Sequence, residues 1–146
     1  MDPVTILSAV SAAAQLAGST ASIGLKLYSF YFKVKDAPKK SQELCEEISD
    51  LSTVMENLSQ TLTALGNSEI DNVISIDSLE KYSQFLEEVR SRVHLDKGDI
   101  KKRVKWPLSI KDNEELISKA ERHKTTFTLA LGTANLKVGS VHAYFS

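Results

Sequence analysis

Residues 44–65 read LCEEISDLSTVMENLSQTLTAL, and in them Leu44, Ile48, Leu51, Met55, Leu58, Leu62 and Leu65 recur at spacings of four and three in strict alternation. That alternation gathers the apolar side chains on one stripe of a helix, the seam of a coiled coil, while Glu43, Glu46, Glu47, Asp50 and Glu56 fall on other faces. A one-sided seam cannot be buried by its own helix, so neighbouring segments must supply helical partners. Asp36, just ahead of Pro38, is expected to cap the start of this second helix, and Gly66 to end it.

Toward the N-terminus, Asp2 and Pro3 form a helix start, with an acceptor side chain at the cap and a proline at the first turn. Ile6, Val10, Ala13, Ala17, Thr20, Gly24, Leu27, Tyr31 and Val34 recur at helical spacing, and Ala9, Leu16, Ile23 and Phe30 widen the stripe. The first helix is therefore expected over residues 3–34, as the central element onto which the other seams pack. The run from Pro3 to Leu25 carries no charge, and as a helix it would extend roughly 35 Å. Ser, Thr, Ala, Gly and Gln15 dilute its hydrophobicity, so it lies between a core helix and a membrane span. The Met-Asp-Pro opening lacks the basic residues of a secretory signal, and no cleavage is expected.

Toward the C-terminus, residues 66–77 read as a connection of open conformation with an apolar patch, Val73 to Ile76. Asp77-Ser78-Leu79-Glu80 has the spacing of a capping box, and Leu79, Tyr82, Leu86, Val89 and Val93 carry a third helix to about His94. A basic connection follows, with a short helical turn expected before Trp106-Pro107. Ser109 and Asp112 cap a fourth helix with Leu116, Ile117, Ala120, Lys124, Phe127, Ala130 and Leu131 at helical spacing, expected to end near Gly132. The fold expected is all-α: a four-helix bundle over residues 1–132 with an additional short helix in the connection before Trp106. Residues 133–146 would extend the last helix, pack as a tail or lead to a further domain.

Composition narrows the function. With 42% hydrophobic and 25% charged residues the chain has the makings of one packed core, and at a net charge of −1 it has no global field to recruit nucleic acid. Cys45 is the only cysteine, which excludes an internal disulfide and a cysteine-based zinc site and fits a reducing compartment. His94, His123 and His142 are scattered, no Glu-x-x-His pair marks a di-metal bundle, and no Gly-rich phosphate loop is present. No enzyme activity, cofactor or metal is expected.

The most distinctive residues lie in the last third: Lys102-Arg103-Val104-Lys105-Trp106-Pro107-Leu108, then Ile117-Ser118-Lys119-Ala120-Glu121-Arg122-His123-Lys124, then Leu129-Ala130-Leu131. With the Met-Asp-Pro start, the alanine- and hydroxyl-rich first helix, Val34-Lys35-Asp36-Ala37-Pro38 and Leu44-Cys45-Glu46-Glu47-Ile48-Ser49-Asp50-Leu51, they resemble the HeLo-like domain. That domain stands ahead of NACHT, ankyrin or other modules in fungal NLR-type (STAND) receptors and is related to the HeLo and mixed-lineage kinase domain-like bundles. The resemblance implies a cell-death effector of fungal immunity or heterokaryon incompatibility that oligomerises and permeabilises membranes through its N-terminal segment. It further implies a protein that is cytoplasmic at rest and at the plasma membrane on activation, with anionic lipids, self-association and an upstream receptor or attached NLR-type modules as partners.

On that reading the membrane-insertion helix is carried by Val4, Ile6, Leu7, Val10, Ala14, Leu16, Gly18, Ile23 and Gly24; small residues four apart, as at Ala14 and Gly18, let helices approach closely. The same small residues equally suit a tightly packed core helix. Tyr28, Phe30, Tyr31 and Phe32 followed by Lys33 and Lys35 resemble an interfacial anchor, or else fill one end of the core. Lys101, Lys102, Arg103 and Lys105 beside Trp106 form a lipid-headgroup patch, or else a solvated connection with Trp106 as a core plug. The competing function is a passive helical adaptor that binds protein partners without touching lipid.

Overall fold

A computed structural model describes the backbone of residues 3–65, 69–95 and 105–145, with side chains from residue 9 to residue 140 of those ranges. Four helices carry the fold: α1 Pro3–Lys33, α2 Lys39–Ala64, α3 Ile76–Arg92 and α4 Ile110–Phe145, with a 3₁₀ turn at Ile70–Asn72. The all-α expectation holds. The short helix expected before Trp106 falls outside the described residues.

The seam of α2 is the spine of the molecule: Leu44, Ile48, Leu51, Met55, Leu58 and Leu62 are all fully buried. The helix packs against both α1 and α4; α1 turns its other flank to α3, and α3 meets α4 along the loosest side. The packing therefore runs α1, α2, α4, α3 around the bundle, with α1 and α4 on one diagonal. This corrects the expectation of a central first helix. Helix α1 buries one face, through Ala9, Ala13, Leu16, Thr20, Ile23, Leu27 and Phe30, while Leu25 and Phe32 stand 75% and 77% exposed. A wide stripe on paper includes small residues that solvent tolerates, and only the large side chains of its middle compel burial.

Three boundaries differ from expectation, each for a local reason. Asp36 does not cap α2: it adopts a left-handed backbone with φ of 62° at the reversal, and Pro38 precedes the helix, its carbonyl accepting from Ser41 N at 2.9 Å. The cap of α3 is Ser75, whose hydroxyl accepts from Ser78 N at 3.1 Å, because Ile70 and Ile74 draw the connection into the core and start the helix early. Asp77 instead sits in the first turn and pairs with Lys81 at 3.1 Å. Helix α4 continues through Gly132 to Phe145. A glycine inside a helix costs only about 1 kcal/mol, and Ala134, buried in the core, and a Lys137–Glu69 pair at 2.6 Å secure the extension. The Ser109 cap is as expected, its Oγ accepting from Asp112 N at 3.0 Å.

Candidate functional site

Helix α1 is held unevenly along its length. From Ile23 onward it buries large side chains, Ile23, Leu27 and Phe30, and Gly24 lies so close to α2 that a Cβ there would sit 3.6 Å from Ile48 Cγ2. Nearer the N-terminus the buried positions are Ala9, Ala13, Leu16 and Thr20, which bring far less apolar area to the interface. Clefts of about 350 Å3 flank this part on both sides, one toward α2 along Ala14, Ala17, Gly18 and Ala21, the other toward α3 along Ala12, Gln15 and Ser19.

One polar contact crosses the interior here. Thr20 Oγ1 donates to the Leu16 carbonyl at 2.6 Å, which leaves its lone pairs to accept from the Tyr82 hydroxyl at 2.7 Å, tying α1 to α3. Both side chains are fully buried, so each satisfies a group that would otherwise be stranded. Burial pushes the Tyr82 phenol well above its ordinary range, the Thr20 hydrogen bond opposing it, so the hydroxyl stays protonated and available as a donor. The Tyr82 ring in turn packs on Phe127 at 5.0 Å and His123 at 5.3 Å, both from α4. Thr20 and Tyr82 each stand on an apolar stripe of the sequence; nothing in one dimension pairs positions 62 residues apart.

The other end of α1 is fixed by aromatics. Phe30 stacks on Trp106 with centroids 5.3 Å apart, and Tyr31 meets the indole edge-on at 6.4 Å. Trp106 Nε1 donates to Asn113 Oδ1 at 3.1 Å, and Asn113 Nδ2 donates to the Ser109 carbonyl at 2.9 Å, so a buried asparagine on α4 locks the Trp-Pro segment over α1. Phe30 and Trp106 are thus interior in this state. Tyr28 and Phe32 stack on the outer side at 6.0 Å, beside exposed Lys33 and Lys35. Lys105 is exposed, while Lys101, Lys102 and Arg103 lie outside the described residues.

Of the insertion residues, Leu16, Ile23 and Gly24 are buried, Val10 is half-buried, and Ala14 and Gly18 are exposed; the side chains of Val4, Ile6 and Leu7 lie outside the described residues. Among the described residues no helix is long and apolar enough to cross a membrane. Nor do three or more His, Cys, Asp or Glu side chains gather among them as a metal site would require. Cys45 is fully buried against the seam, and burial pushes its thiol to about 12, so little of it is thiolate near neutral pH.

No curated protein and no solved structure matches the chain. The model of one family does, over residues 1–145, nearly the whole length. The chain accordingly belongs to the family of the N-terminal domain of the pigment biosynthesis cluster protein PigL, a fungal helical N-terminal domain.

Proposed function

We propose that this domain is a HeLo-like cell-death effector that stores α1 in the bundle at rest and, when clustered by an upstream receptor or attached NLR-type module, releases it to permeabilise membranes as an oligomer. The observation that carries this reading is the two-faced character of α1. Its inner face is apolar through Ala13, Leu16, Ile23 and Leu27; its outer face presents Ser11, Gln15, Gly18 and Ser22 to water; and no charge interrupts either before Lys26. Since no described helix is apolar enough to cross alone, the route is collective, with inner faces turned to lipid and the hydroxyl and amide stripe lining water. Small residues on the outer face let neighbouring copies approach. The protein would be cytosolic at rest and reach anionic lipids of the plasma membrane on activation, with no nucleic acid, cofactor or enzymatic step involved.

A passive adaptor is the second reading. It is favoured by the exposed Leu25 and Phe32 on α1 and Leu129 and Leu136 on α4, surfaces a protein partner could cover. A reversible lock separates the two. With Cys45 replaced by alanine, Gly24→Cys and Ile48→Cys place two thiols across the α1–α2 contact, where a Cβ at position 24 would lie 3.6 Å from Ile48 Cγ2. Release of dye from anionic vesicles is expected from the reduced protein and not from the oxidised one. Equal leakage in both forms, or none from wild type at any concentration, would remove α1 release and leave the adaptor.

A further inference from the structure

The loosest side of the bundle is not empty. Between α3 and α4 opens a cleft of about 370 Å3, within the size range of small-molecule sites. Its floor is made by two rings, Phe85 and His123, with centroids 5.1 Å apart. Lys81, Lys119 and Arg122 line it against a single carboxylate, Glu88, so the lining carries an excess of positive charge on a chain whose net charge is −1.

The carboxylate is already engaged. Glu88 takes two hydrogen bonds from Lys119 Nζ, at 2.7 and 2.9 Å, and lies 4.0 Å from Arg92. Arg92 is itself held by Asp112 at 2.8 Å and Glu115 at 3.4 Å, and Glu115 also lies 3.5 Å from Lys119 Nζ. Arg122, by contrast, has no ion-pair partner among the described residues, and Lys81 has only its solvent-exposed pair with Asp77, worth little in water. Burial and the neighbouring Arg122 hold the His123 imidazole below its ordinary value, so near neutral pH it adds a flat, uncharged surface. One cation without an ion-pair partner, Arg122, and another held only by a solvent-exposed pair, Lys81, beside a ring floor fit an anion attached to an apolar or aromatic body.

We propose that the α3–α4 cleft binds a phosphate monoester. The Arg122 guanidinium supplies a planar fork for two phosphate oxygens, Lys81 and Lys119 supply point charges, the Gln84 amide is a further donor on the wall, and the organic portion rests on Phe85 and His123. A dianionic headgroup answers the positive excess of the lining better than a carboxylate or a phosphodiester does. The same chemistry is offered by a soluble phosphomonoester or by the headgroup of phosphatidic acid.

The test uses the full chain with phenyl phosphate as the soluble probe, and phosphatidylcholine vesicles doped with phosphatidic acid or, separately, phosphatidylserine. Saturable binding of phenyl phosphate by calorimetry, or of phosphatidic acid vesicles in preference to phosphatidylserine vesicles, is expected; which of the two binds identifies the source. Arg122→Gln, an exposed change that leaves the melting temperature of the free protein unaltered, should weaken that binding about ten-fold, in keeping with loss of a charge-assisted hydrogen bond. Lys81→Gln should weaken it in the same direction. Silence from both probes, equal binding to the two kinds of vesicle, or unchanged binding by Arg122→Gln would overturn the proposal.

Discussion

Thr20 is the residue on which most turns, because a hydroxyl with no exposed surface has two partners and both matter. Tyr82→Phe removes one hydrogen bond while Thr20 still donates to Leu16, and should cost about 1 kcal/mol. Thr20→Val strands the Tyr82 hydroxyl in the core and should cost more, about 1–3 kcal/mol. The double variant, with both partners apolar, should fall well short of the sum of the two, a non-additivity that urea denaturation of the four proteins measures directly. If the proposed release is right, Tyr82→Phe should also leak dye more readily. His123, in ring contact with Tyr82, should make the fold sensitive to acid. Its folded value is depressed below the ordinary 6.5 by burial and by Arg122, so the unfolded chain binds the proton more tightly. The stability this contributes is fully present above about 6.5 and is lost as the pH falls through the folded value. The other charged residues lining the cleft beside the ring are Lys81 and the Lys119–Glu88 ion pair. Melting curves should show the wild type losing more stability than His123→Gln on acidification below that range, and parallel losses would refute the assignment to His123.

At the scale of elements, the difference between α1 and α2 is one of how much each position buries. Met55→Ala in the α2 seam opens a cavity among fully buried neighbours and should cost about 2–5 kcal/mol. Leu25→Ala on α1 removes a side chain that is 75% exposed and should change stability by no more than about 0.5 kcal/mol. Denaturation midpoints of the two variants check the pair together; a comparable loss at Leu25 would mean that α1 is enclosed on both faces after all. The α4 helix shows the opposite lesson. Its glycines at 132 and 139 face open space, with no atom within 4 Å of an added Cβ. They neither end the helix nor serve tight packing, since the buried flank of α4, marked by Phe127, Ala130 and Ala134, lies elsewhere.

For the molecule as a whole, the order of packing separates two kinds of joint. The α1–α2 and α2–α4 sides are broad and apolar, with Lys124 reaching Glu47 at 2.8 Å and Asp50 at 3.4 Å across the second. The α3–α4 side relies on rings and on the Arg92 and Lys119 ion pairs, and the cleft lies within it. Removing the uncharged segment of α1 outright would strip Ala9, Ala13, Leu16, Thr20 and Ile23 from the core. A truncated chain therefore confounds folding with function, which is why the reversible lock is the sharper instrument.

The sequence by itself determined the helical class, the seam of α2, the Ser109 cap and the uncharged character of α1. These are set by spacing along one helix and by side-chain chemistry within a turn or two. Only the tertiary structure decided that α2 rather than α1 is the spine, because width of an apolar stripe does not say how much of it meets a neighbour. It also decided that α4 runs past Gly132, since buried contacts at Ala134 outweigh a propensity cost of about 1 kcal/mol. The Thr20–Tyr82 bond and the clustering of Lys81, Lys119 and Arg122 over Phe85 and His123 were invisible in one dimension, because they arise from which helix faces which. Helical periodicity fixes the face a residue occupies, and only packing fixes what that face confronts.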